Sequence, residues 1–557
     1  MAIVLVGTPL LFPSARRTTP VVSDTATGKA IPDAPVTVAA PAPASVPGVA
    51  PLRTASVVGV GGGGAADSNV LVPMRRSGYV IGSRGAAPRA VKIAPTQPNF
   101  RSLRPGQSAA RDTMVVADPH GPLLHYRLAL GADTIALDSV SFSAQRTATG
   151  VTFSSTTTPP ITISYAAAGT AGYRTDVRGT VAGAPAGSAL IIDLPAELQS
   201  GEADTLDDQR HLTYGYKSPL RDVESIPFGK LDSTTTRADT GAMLWVSARD
   251  KYWLVALMQP FGDKPTGAFR GMTMRGGTRV GRVTKSASAT TVQPLTNGRF
   301  AFDMYVGPQS WEELHTLGNG MEEVNPYAGF LHAIVQPFAT IVLRVLLWMK
   351  ATLGVSYGWV LVLFGIVIRL MLWPLNQRAM RTSIQMQQLQ PELTEVQKRY
   401  KADPDKQREA LMKLYQAHGM SPLSPMLGCL PMLLPMPILY ALYFVFQNTI
   451  EFRGVPFLWL SDLSLRDPLY IVPVLMGGSM FLLSWIGMRA MPPNPQTKMM
   501  SYMMPVMFTV MFLNFASGLN LYYAVQNIAA LPQQWILTRE RAKVAARTST
   551  ATGKRTG

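Results

Sequence analysis

The pattern of hydrophobic and polar positions changes near residue 330. Before that point, short alternating or β-branched runs such as TIALDSVSF, ITISYAA and GRFAFDMYVGP are separated by Gly, Pro and Asp. These runs predict strands, and the segment GAMLWVSARDKYWLVALMQPF predicts a hairpin that turns at Arg249-Asp250. The strand before residue 308 would place four apolar side chains on one face: Phe300, Phe302, Met304 and Val306. Because no helical pattern intervenes, residues 54–310 are expected to form an all-β sandwich domain.

After residue 330 the apolar runs approach the length needed to cross a bilayer, about 20 residues. Five segments qualify as predicted spans: 358–375, 423–446, 470–488, 499–515 and 519–537. The preceding run, 331–353, carries Gln336, Thr340 and Arg344 at intervals of four residues. Such a polar stripe is typical of a helix lying along the membrane interface. Residues 311–356 are therefore interpreted as a connector and an interfacial helix.

The N-terminal run AIVLVGTPLLFP contains about half of the residues that a span requires. We interpret residues 1–13 as a truncated membrane anchor that begins upstream, with a disordered apolar tail as the alternative. Residues 14–53 are rich in Pro, Ala, Val and Thr, which predicts a flexible linker. The mean hydropathy of +0.13 is high for a soluble protein, and the single cysteine, Cys429, excludes an internal disulfide framework.

The net charge of +17 is distributed as expected for a membrane protein. Lys and Arg concentrate in 376–422 and in the tail 538–557, whereas the opposite side of the predicted spans offers only Arg453 and Arg466. The positive-inside rule therefore places 376–422 and the C-terminus in the cytoplasm and the β domain outside it. The basic tail could contact ribosomal RNA or anionic lipid, or it could simply be solvated.

The cytoplasmic segment 376–422 is expected to form a helical hairpin. One helix is predicted over 378–400, and Asp403-Pro404 supplies an N-cap and an N1 proline for a second helix that ends at His418. Three methionines of this hairpin are candidates for an adaptable contact surface, although methionines on helices commonly pack inside: Met380, Met386 and Met412.

Arg369 is the one charge inside the predicted span 358–375. Two interpretations remain open: its side chain extends to the membrane surface, or it faces a water-containing cavity, because a cation facing lipid costs several kcal/mol. The last span supplies neutral polar groups that could line such a cavity: Asn520, Tyr522, Tyr523, Gln526, Asn527 and Gln533. A cationic cavity lined by amides and hydroxyls suits transient contact with polar or acidic polypeptide better than it suits a metal or another cation.

The sequence of the β domain contains no catalytic constellation. Its histidines lack the spacing of a metal motif, GVGGGG lacks the residues of a phosphate loop, and GEADTLDDQRH is interpreted as a solvated acidic loop. Two other function classes stay open at this point. One is a small-solute transporter with an external binding domain, although no internal repeat is visible. The other is a membrane-anchored carbohydrate enzyme.

Several collinear segments resemble the YidC family of bacterial membrane-protein insertases. They are GIVIRLMLWPLNQRAM, LQPELTEVQKRY, MSPLSPMLGCLPMLLPMPILYALYFVF and SYMMPVMFTVMFLNFASGLNLYYAVQN. The resemblance implies a polytopic α-helical membrane protein of the bacterial inner membrane. Its parts would be an N-terminal anchor, a periplasmic β-supersandwich and a five-helix insertase core over 357–537 with a hydrated, positively charged groove.

By this resemblance, Arg369 matches the arginine of the groove and Tyr523 matches an aromatic residue that contacts substrate. Gln526, Asn527 and Asn520 complete the predicted groove. Gly365 departs from the family, which often has a polar residue four positions before the arginine.

The implied activity is non-enzymatic insertion and folding of newly made membrane proteins, without a cofactor. The partners implied are nascent membrane proteins, the ribosome, the Sec translocon and membrane lipids.

Overall fold

A computed structural model describes residues 67–95, 98–104, 113–169, 172–281, 283–325, 332–401, 403–418, 436–489 and 495–553. The predicted anchor (1–13) and linker (14–53) lie outside these residues. Within the described part, antiparallel sheets occupy the chain up to residue 308, and helices follow.

The strands of the β domain form two large antiparallel sheets and two smaller ones in the described residues. The strands are β1 Asn69–Pro73, β2 Ser77–Gly82, β3 Pro88–Ile93, β4 Met114–Ala117, β5 His125–Leu130, β6 Asp133–Ala136, β7 Ser143–Arg146, β8 Gly150–Ser154, β9 Ile161–Ala168, β10 Arg174–Val181, β11 Ala189–Asp193, β12 Thr213–Lys217, β13 Glu224–Pro227, β14 Arg237–Met243, β15 Trp245–Arg249, β16 Trp253–Met258, β17 Phe269–Gly276, β18 Arg279–Val280, β19 Val283–Thr284, β20 Ala287–Pro294 and β21 Arg299–Pro308. The large sheets have the orders β13-β12-β15-β16-β21-β10-β9-β8-β7 and β14-β17-β20-β11-β5-β6, and the small ones β1-β2-β3-β4 and β18-β19. Residues of both large sheets share one hydrophobic core, so the predicted all-β sandwich is confirmed.

The predicted hairpin at Arg249-Asp250 is also confirmed. Strands β15 and β16 pair in antiparallel register, and the Asp250 carboxylate closes the turn by accepting hydrogen bonds from the backbone N–H groups of Tyr252 (2.9 Å) and Trp253 (2.7 Å). The four apolar side chains predicted to share a face of the strand before residue 308 are all buried: Phe300, Phe302, Met304 and Val306.

The acidic segment 201–211 corrects a prediction, because it is not a solvated loop. Residues Thr205–Arg210 form a short helix, α1, capped by the Asp204 carboxylate, which accepts from the backbone N–H of Asp207 at 3.0 Å. Glu202 and Asp208 are buried. Glu202 pairs with Arg453, which lies 251 residues away in the helical part of the chain. The local pattern of charges gave no sign of this partner.

Helices follow the β domain, and two of them extend well beyond their predicted apolar segments. The helices are α2 Trp311–Leu317, α3 His332–Leu353, α4 Tyr357–Arg399, α5 Pro404–Ala417, α6 Met436–Asn448, α7 Ile471–Met488, α8 Pro495–Phe512 and α9 Ser517–Gly553. Helix α4 runs without a break from the predicted span into the predicted cytoplasmic hairpin, and α9 continues through most of the basic tail. The N-terminus of α5 is as predicted, since the Asp403 carboxylate accepts from the backbone N–H of Lys406 at 3.2 Å and Pro404 follows.

The exposed surface of α7 and of the first half of α4 is apolar. By length and composition, Tyr357–Gln377 and Ile471–Met488 can each cross a membrane, and 28% of each apolar stretch is buried within the protein. Large side chains on α4 and α7 are exposed, among them Leu370, Met371 and Val474. A continuous apolar surface of this kind suits lipid, in which each helix satisfies its own backbone hydrogen bonds. The first half of the predicted span 423–446 lies outside the described residues.

A buried arginine joins the β domain to the helical part. Arg453 follows a short 3₁₀ turn, Ile450–Phe452, and its side chain is 0% exposed. Its Nε lies 2.8 and 2.9 Å from the two carboxylate oxygens of Glu202, and its Nη1 donates to the carbonyl oxygens of Asn99 (2.5 Å) and Arg101 (2.7 Å). The guanidinium carbon also lies 5.8 Å from the centre of a Trp253 ring. This pairing fixes the contact between the two parts of the chain.

Candidate functional site

Helices α4 and α9 pack closely at Gly365. A Cβ atom added to this glycine would lie 3.0 Å from Cγ1 of Val525 on α9. Because glycine has no side chain, the Gly365 carbonyl oxygen lies within reach of Gln526, whose Nε2 donates to it at 2.9 Å and to the Tyr522 hydroxyl at 3.0 Å. The absence of a side chain at Gly365 therefore permits a hydrogen bond between these two helices.

Arg369 lies one turn further along α4 and contacts the same face of α9. Its Nη2 donates to Oε1 of Gln533 at 2.8 Å, and the Gln533 amide nitrogen donates to the Trp373 carbonyl at 3.3 Å. The Nε of Arg369 is shut off from solvent and has no hydrogen-bond partner among the described residues. We refer to Gly365, Arg369, Tyr522, Gln526 and Gln533 as the Arg369 cluster.

The Arg369 cluster holds a cation with neutral groups. Within the described residues, Arg369 forms no ion pair with a carboxylate, and its named partner is an amide. An arginine hydrogen-bonded to a neutral amide keeps most of its attraction for an anion, because the amide does not cancel the charge. The guanidinium meets α9 at the level of Trp373, about one helical turn towards the predicted cytoplasmic end. The side chain therefore both extends along the span and contacts the neighbouring helix.

The other predicted groove residues are spread over two faces of α9. Gln526 belongs to the Arg369 cluster, and Tyr523 adjoins it through an edge-to-face contact with Tyr522 at 5.4 Å. Asn527 instead faces α7, with its amide nitrogen 3.4 Å from the Met476 carbonyl oxygen. Asn520 is buried near the start of α9 and donates to the Phe512 carbonyl at 3.0 Å. The structure thus places Gln526 with Arg369 and places Asn520 and Asn527 elsewhere.

From the sequence, Gln533 is among the polar groups that could line a cavity but is not included in the predicted groove, and Gly365 is not assigned to the site. Gln533 follows Gln526 by seven residues, a spacing that places two side chains on the same face of a helix. That spacing, applied to the polar residues of the last span, would have grouped Gln533 with Gln526. Gly365 precedes Arg369 by four residues and so lies on the same face of α4.

The cytoplasmic hairpin is described in part. Met412 on α5 is exposed, as a contact surface requires. Met380 and Met386 fall among residues whose side chains the structure does not describe. Their role in contacts therefore stays a prediction.

The β domain shows no catalytic arrangement in its described residues. Its histidines each pair with a single acceptor: His120 with Glu197 at 3.0 Å, His125 with Asp138 at 2.7 Å and His211 with the Asp207 carbonyl at 2.8 Å. No group of three or more His, Cys, Asp or Glu side chains in the described part of the chain is arranged to hold a metal ion.

Comparisons with known proteins identify both parts of the chain. Residues 137–341 match the family model of the YidC periplasmic domain, and residues 348–544 match that of the 60Kd inner membrane protein family. The "Membrane protein insertase YidC" of Magnetococcus marinus is 35% identical over 300 residues, which are 53% of this chain and 51% of that protein. The protein of the same name from Geobacter metallireducens is 34% identical over 307 residues, 55% of this chain and 54% of that protein.

The matched region spans about half the length of these relatives. A crystal structure of an active YidC insertase with its first transmembrane domain resolved aligns with 85% of this chain and 93% of its own, at 18% identity and a TM-score of 0.33. The matches to the two family models cover the β domain from residue 137 and the membrane helices to residue 544. With a periplasmic β domain and an inner-membrane helical domain on one chain, the protein belongs to the YidC family.

Proposed function

We propose that this protein inserts newly made proteins into the bacterial inner membrane and helps them to fold. The observation that carries the proposal is Arg369, a cation inside an apolar helix that is held by the neutral amide of Gln533. The relatives that match the chain are named insertases, which supports this activity. They give no support to the solute transporter considered above.

The chemistry of the site supports a transient contact with the polar flank of a substrate. An incoming carboxylate can take a guanidinium N–H from Gln533, because a hydrogen bond between two charged groups is stronger than one from a guanidinium to a neutral amide. The apolar part of the substrate would then pass into lipid along exposed side chains of α4 such as Leu370 and Met371. Apolar transfer at about 25 cal/mol per Å² supplies the driving force, so the proposed step requires no nucleotide and no enzyme chemistry.

The partners and topology form the second part of the proposal. The hairpin of α4 and α5 and the basic end of α9 would lie in the cytoplasm, where nascent chains and the ribosome are met. Met380, Met386 and Met412 would contribute to this surface. The Sec translocon and membrane lipids would be further partners. The membrane core would extend over 357–537, with the β domain, 54–310, in the periplasm.

The activity is tested by synthesising a short single-span protein on ribosomes in the presence of proteoliposomes that contain only this chain. Protection of the substrate from protease measures insertion. The wild-type protein is expected to protect the substrate without added nucleotide after release from the ribosome. Arg369→Ala is expected to lose most of this protection.

A matched control removes an arginine from the end of another helix. Arg489 follows α7 and stacks on the Trp485 ring at 3.7 Å, and none of its described contacts is to a residue of the Arg369 cluster. Arg489→Ala should therefore insert the substrate as the wild type does. If folded wild-type protein gives no protection, the insertase proposal is wrong. If Arg369→Ala inserts normally, insertion occurs without the Arg369 cluster.

A further inference from the structure

The loop that connects α6 to α7 presents large apolar side chains on the side of the membrane where the β domain lies. Its position on that side follows from Arg453, which belongs to the loop and contacts the β domain. Four large side chains of the loop are exposed: Leu458, Trp459, Leu469 and Tyr470. Single exposed apolar residues are ordinary, whereas a contiguous group indicates a contact surface.

Hydrogen bonds within the loop bring these side chains together. Leu458 and Trp459 are the central residues of a two-residue turn, which is closed by two backbone hydrogen bonds of 2.9 Å between the flanking residues. The indole Nε1 of Trp459 donates to Oδ1 of Asp467 at 3.3 Å, and the same oxygen accepts from the backbone N–H of Leu469 at 3.0 Å. Oδ2 of Asp467 accepts from the backbone N–H of Val472, in the first turn of α7, at 2.8 Å. One buried carboxylate therefore joins the turn to the start of α7.

The loop also packs against the start of α4. The Phe457 ring contacts the Trp359 ring edge to face, with 5.5 Å between the ring centres, and it leaves no room for a Cβ atom at Gly358. Trp359 is exposed on the first turn of α4, and Ile471 is exposed at the first position of α7. The loop is therefore continuous with the apolar surfaces of two helices that can cross a membrane. We refer to the exposed set as the outer apolar patch: Trp359, Leu458, Trp459, Leu469 and Tyr470.

Leu458 adopts a backbone conformation that favours glycine. Its φ is +53°, and a two-residue turn with a positive φ at its first central position normally has glycine there. The leucine side chain is nevertheless 70% exposed, so packing within the described part of the protein does not compensate for the strain. Strained residues of this kind cluster where a protein contacts a partner. The partner of Leu458 must be apolar.

Phospholipid fits the outer apolar patch. Trp and Tyr prefer the boundary between lipid headgroups and acyl chains, where an apolar ring and a polar edge are both satisfied. Arg466 of the same loop is exposed and can pair with a lipid phosphate. We propose that the outer apolar patch inserts into the membrane leaflet that faces the periplasm, with Leu458 among the acyl chains.

This contact would fix the depth of α4 in the membrane, whether or not the protein inserts substrates. Trp359 would lie at the boundary between headgroups and acyl chains. Because a helix rises 1.5 Å per residue, Arg369 would then lie about 15 Å deeper. The lipid contact can therefore be measured without an insertion assay.

A fluorophore attached to the turn tests the proposal. Cys429 is the only cysteine of the chain, so Cys429→Ser/Leu458→Cys provides a single site for the environment-sensitive dye NBD. The labelled full chain is reconstituted into vesicles of phosphatidylethanolamine and phosphatidylglycerol. Nitroxide groups on the acyl chains, close to the headgroups, should quench the dye strongly. Iodide present on both sides of the vesicle membrane should quench it weakly.

Asn297→Cys in the same Cys429→Ser background is the matched control. Asn297 is exposed in a turn and also has a positive φ, of +51°. It precedes β21, whose other end leads to α2, about 30 Å away along the strand. The dye at this position should respond in the opposite way, with strong quenching by iodide and weak quenching by the nitroxide lipids.

The two quenchers separate the possible occupants of the patch. Iodide quenching at Leu458→Cys as strong as at Asn297→Cys would overturn the proposal, because the turn would then lie in water. Protection from both quenchers would also overturn it and assign the patch to a contact with protein. If Leu458→Cys does not fold, Leu469→Cys decides by the same criteria. In a folded Leu469→Cys protein, Leu458→Asp should reduce quenching by the nitroxide lipids, and unchanged quenching would show that the turn does not insert.

Discussion

Two arginines of this protein are shielded from water in opposite ways. Arg453, between the β domain and the helices, is fully buried and directs three of its nitrogens at a carboxylate and two carbonyl groups. Arg369, within α4, is partly buried, contacts one neutral amide and leaves its Nε without a partner among the described residues. The first arrangement leaves the cation little capacity for another partner, whereas the second leaves it available.

This difference separates a structural from a functional charge. A buried cation with a matching carboxylate holds two elements in one geometry. Removing the cation leaves the carboxylate buried without an opposite charge. A cation held by an amide can exchange that amide for a better acceptor without leaving a charge behind. Burial of an arginine alone would not distinguish the two roles, but the charge of its partner does.

The largest expected effect is the loss of stability in Arg453→Met. The free energy of unfolding should fall by about 3–5 kcal/mol, because the Glu202 carboxylate stays buried without a cation. Arg369→Met leaves only a neutral amide without its partner and should lower the free energy of unfolding by about 0.5–1.5 kcal/mol. Unfolding of the purified proteins in detergent, followed by tryptophan fluorescence, compares the two variants.

The double variant Glu202→Gln/Arg453→Met provides the control for this comparison. It also removes the unpaired charge of the Glu202 carboxylate and should recover much of the stability lost in Arg453→Met. Equal losses of unfolding free energy in Arg453→Met and Arg369→Met would show that a carboxylate partner does not decide whether an arginine is structural.

The second prediction gives Arg369 a carboxylate partner, as Arg453 already has in Glu202. Gln533→Glu gives Arg369 a carboxylate at the position of the amide, which lies 2.8 Å away. A hydrogen bond between charged groups contributes about 1.5–3 kcal/mol, so a substrate competing for Arg369 should be inserted about tenfold less well. The melting temperature should not fall. The protease-protection assay in proteoliposomes measures the loss.

Gln533→Leu is the matched variant for this prediction. It removes the amide but leaves Arg369 without an internal competitor, so insertion should stay within about threefold of the wild type. If Gln533→Glu inserts substrate as well as the wild type, availability of the Arg369 charge does not limit insertion.

The third prediction concerns the packing that positions Arg369. A Cβ at Gly365 would already lie 3.0 Å from Val525, so Gly365→Val should separate α4 from α9 and weaken the bond from Gln526. Overpacking of this kind costs about 1–3 kcal/mol. Gly478 on α7 is the control, because a Cβ there meets nothing within 4 Å. The melting temperature of Gly365→Val should therefore be lower than that of Gly478→Val. Similar melting temperatures would contradict the packing argument.

A contact in this protein was predictable from the sequence when its two residues are close together along the chain. The hairpin at Arg249-Asp250 and the cap at Asp403 are decided by neighbours in the chain, so local patterns predicted both. Arg369 stood out because a charge inside an apolar helix is costly. Glu202 and Arg453 lie 251 residues apart, and each resembles an ordinary surface charge until the chain is folded.

The smallest expected loss of stability comes from breaking a partly exposed ion pair. Nδ1 of His125 lies 2.7 Å from Oδ2 of Asp138, and this bond raises the pKa of His125. The stabilisation is complete below the ordinary histidine pKa of about 6.5 and disappears as the pH rises through the raised value. Since the side chains of His125 and Asp138 are 39% and 42% exposed, solvent limits the contribution to about 0.2–1 kcal/mol. Wild type and Asp138→Asn should therefore differ in melting temperature at pH 5 and converge at high pH. A difference as large as that for Arg453→Met would mean that burial does not set the strength of these pairs.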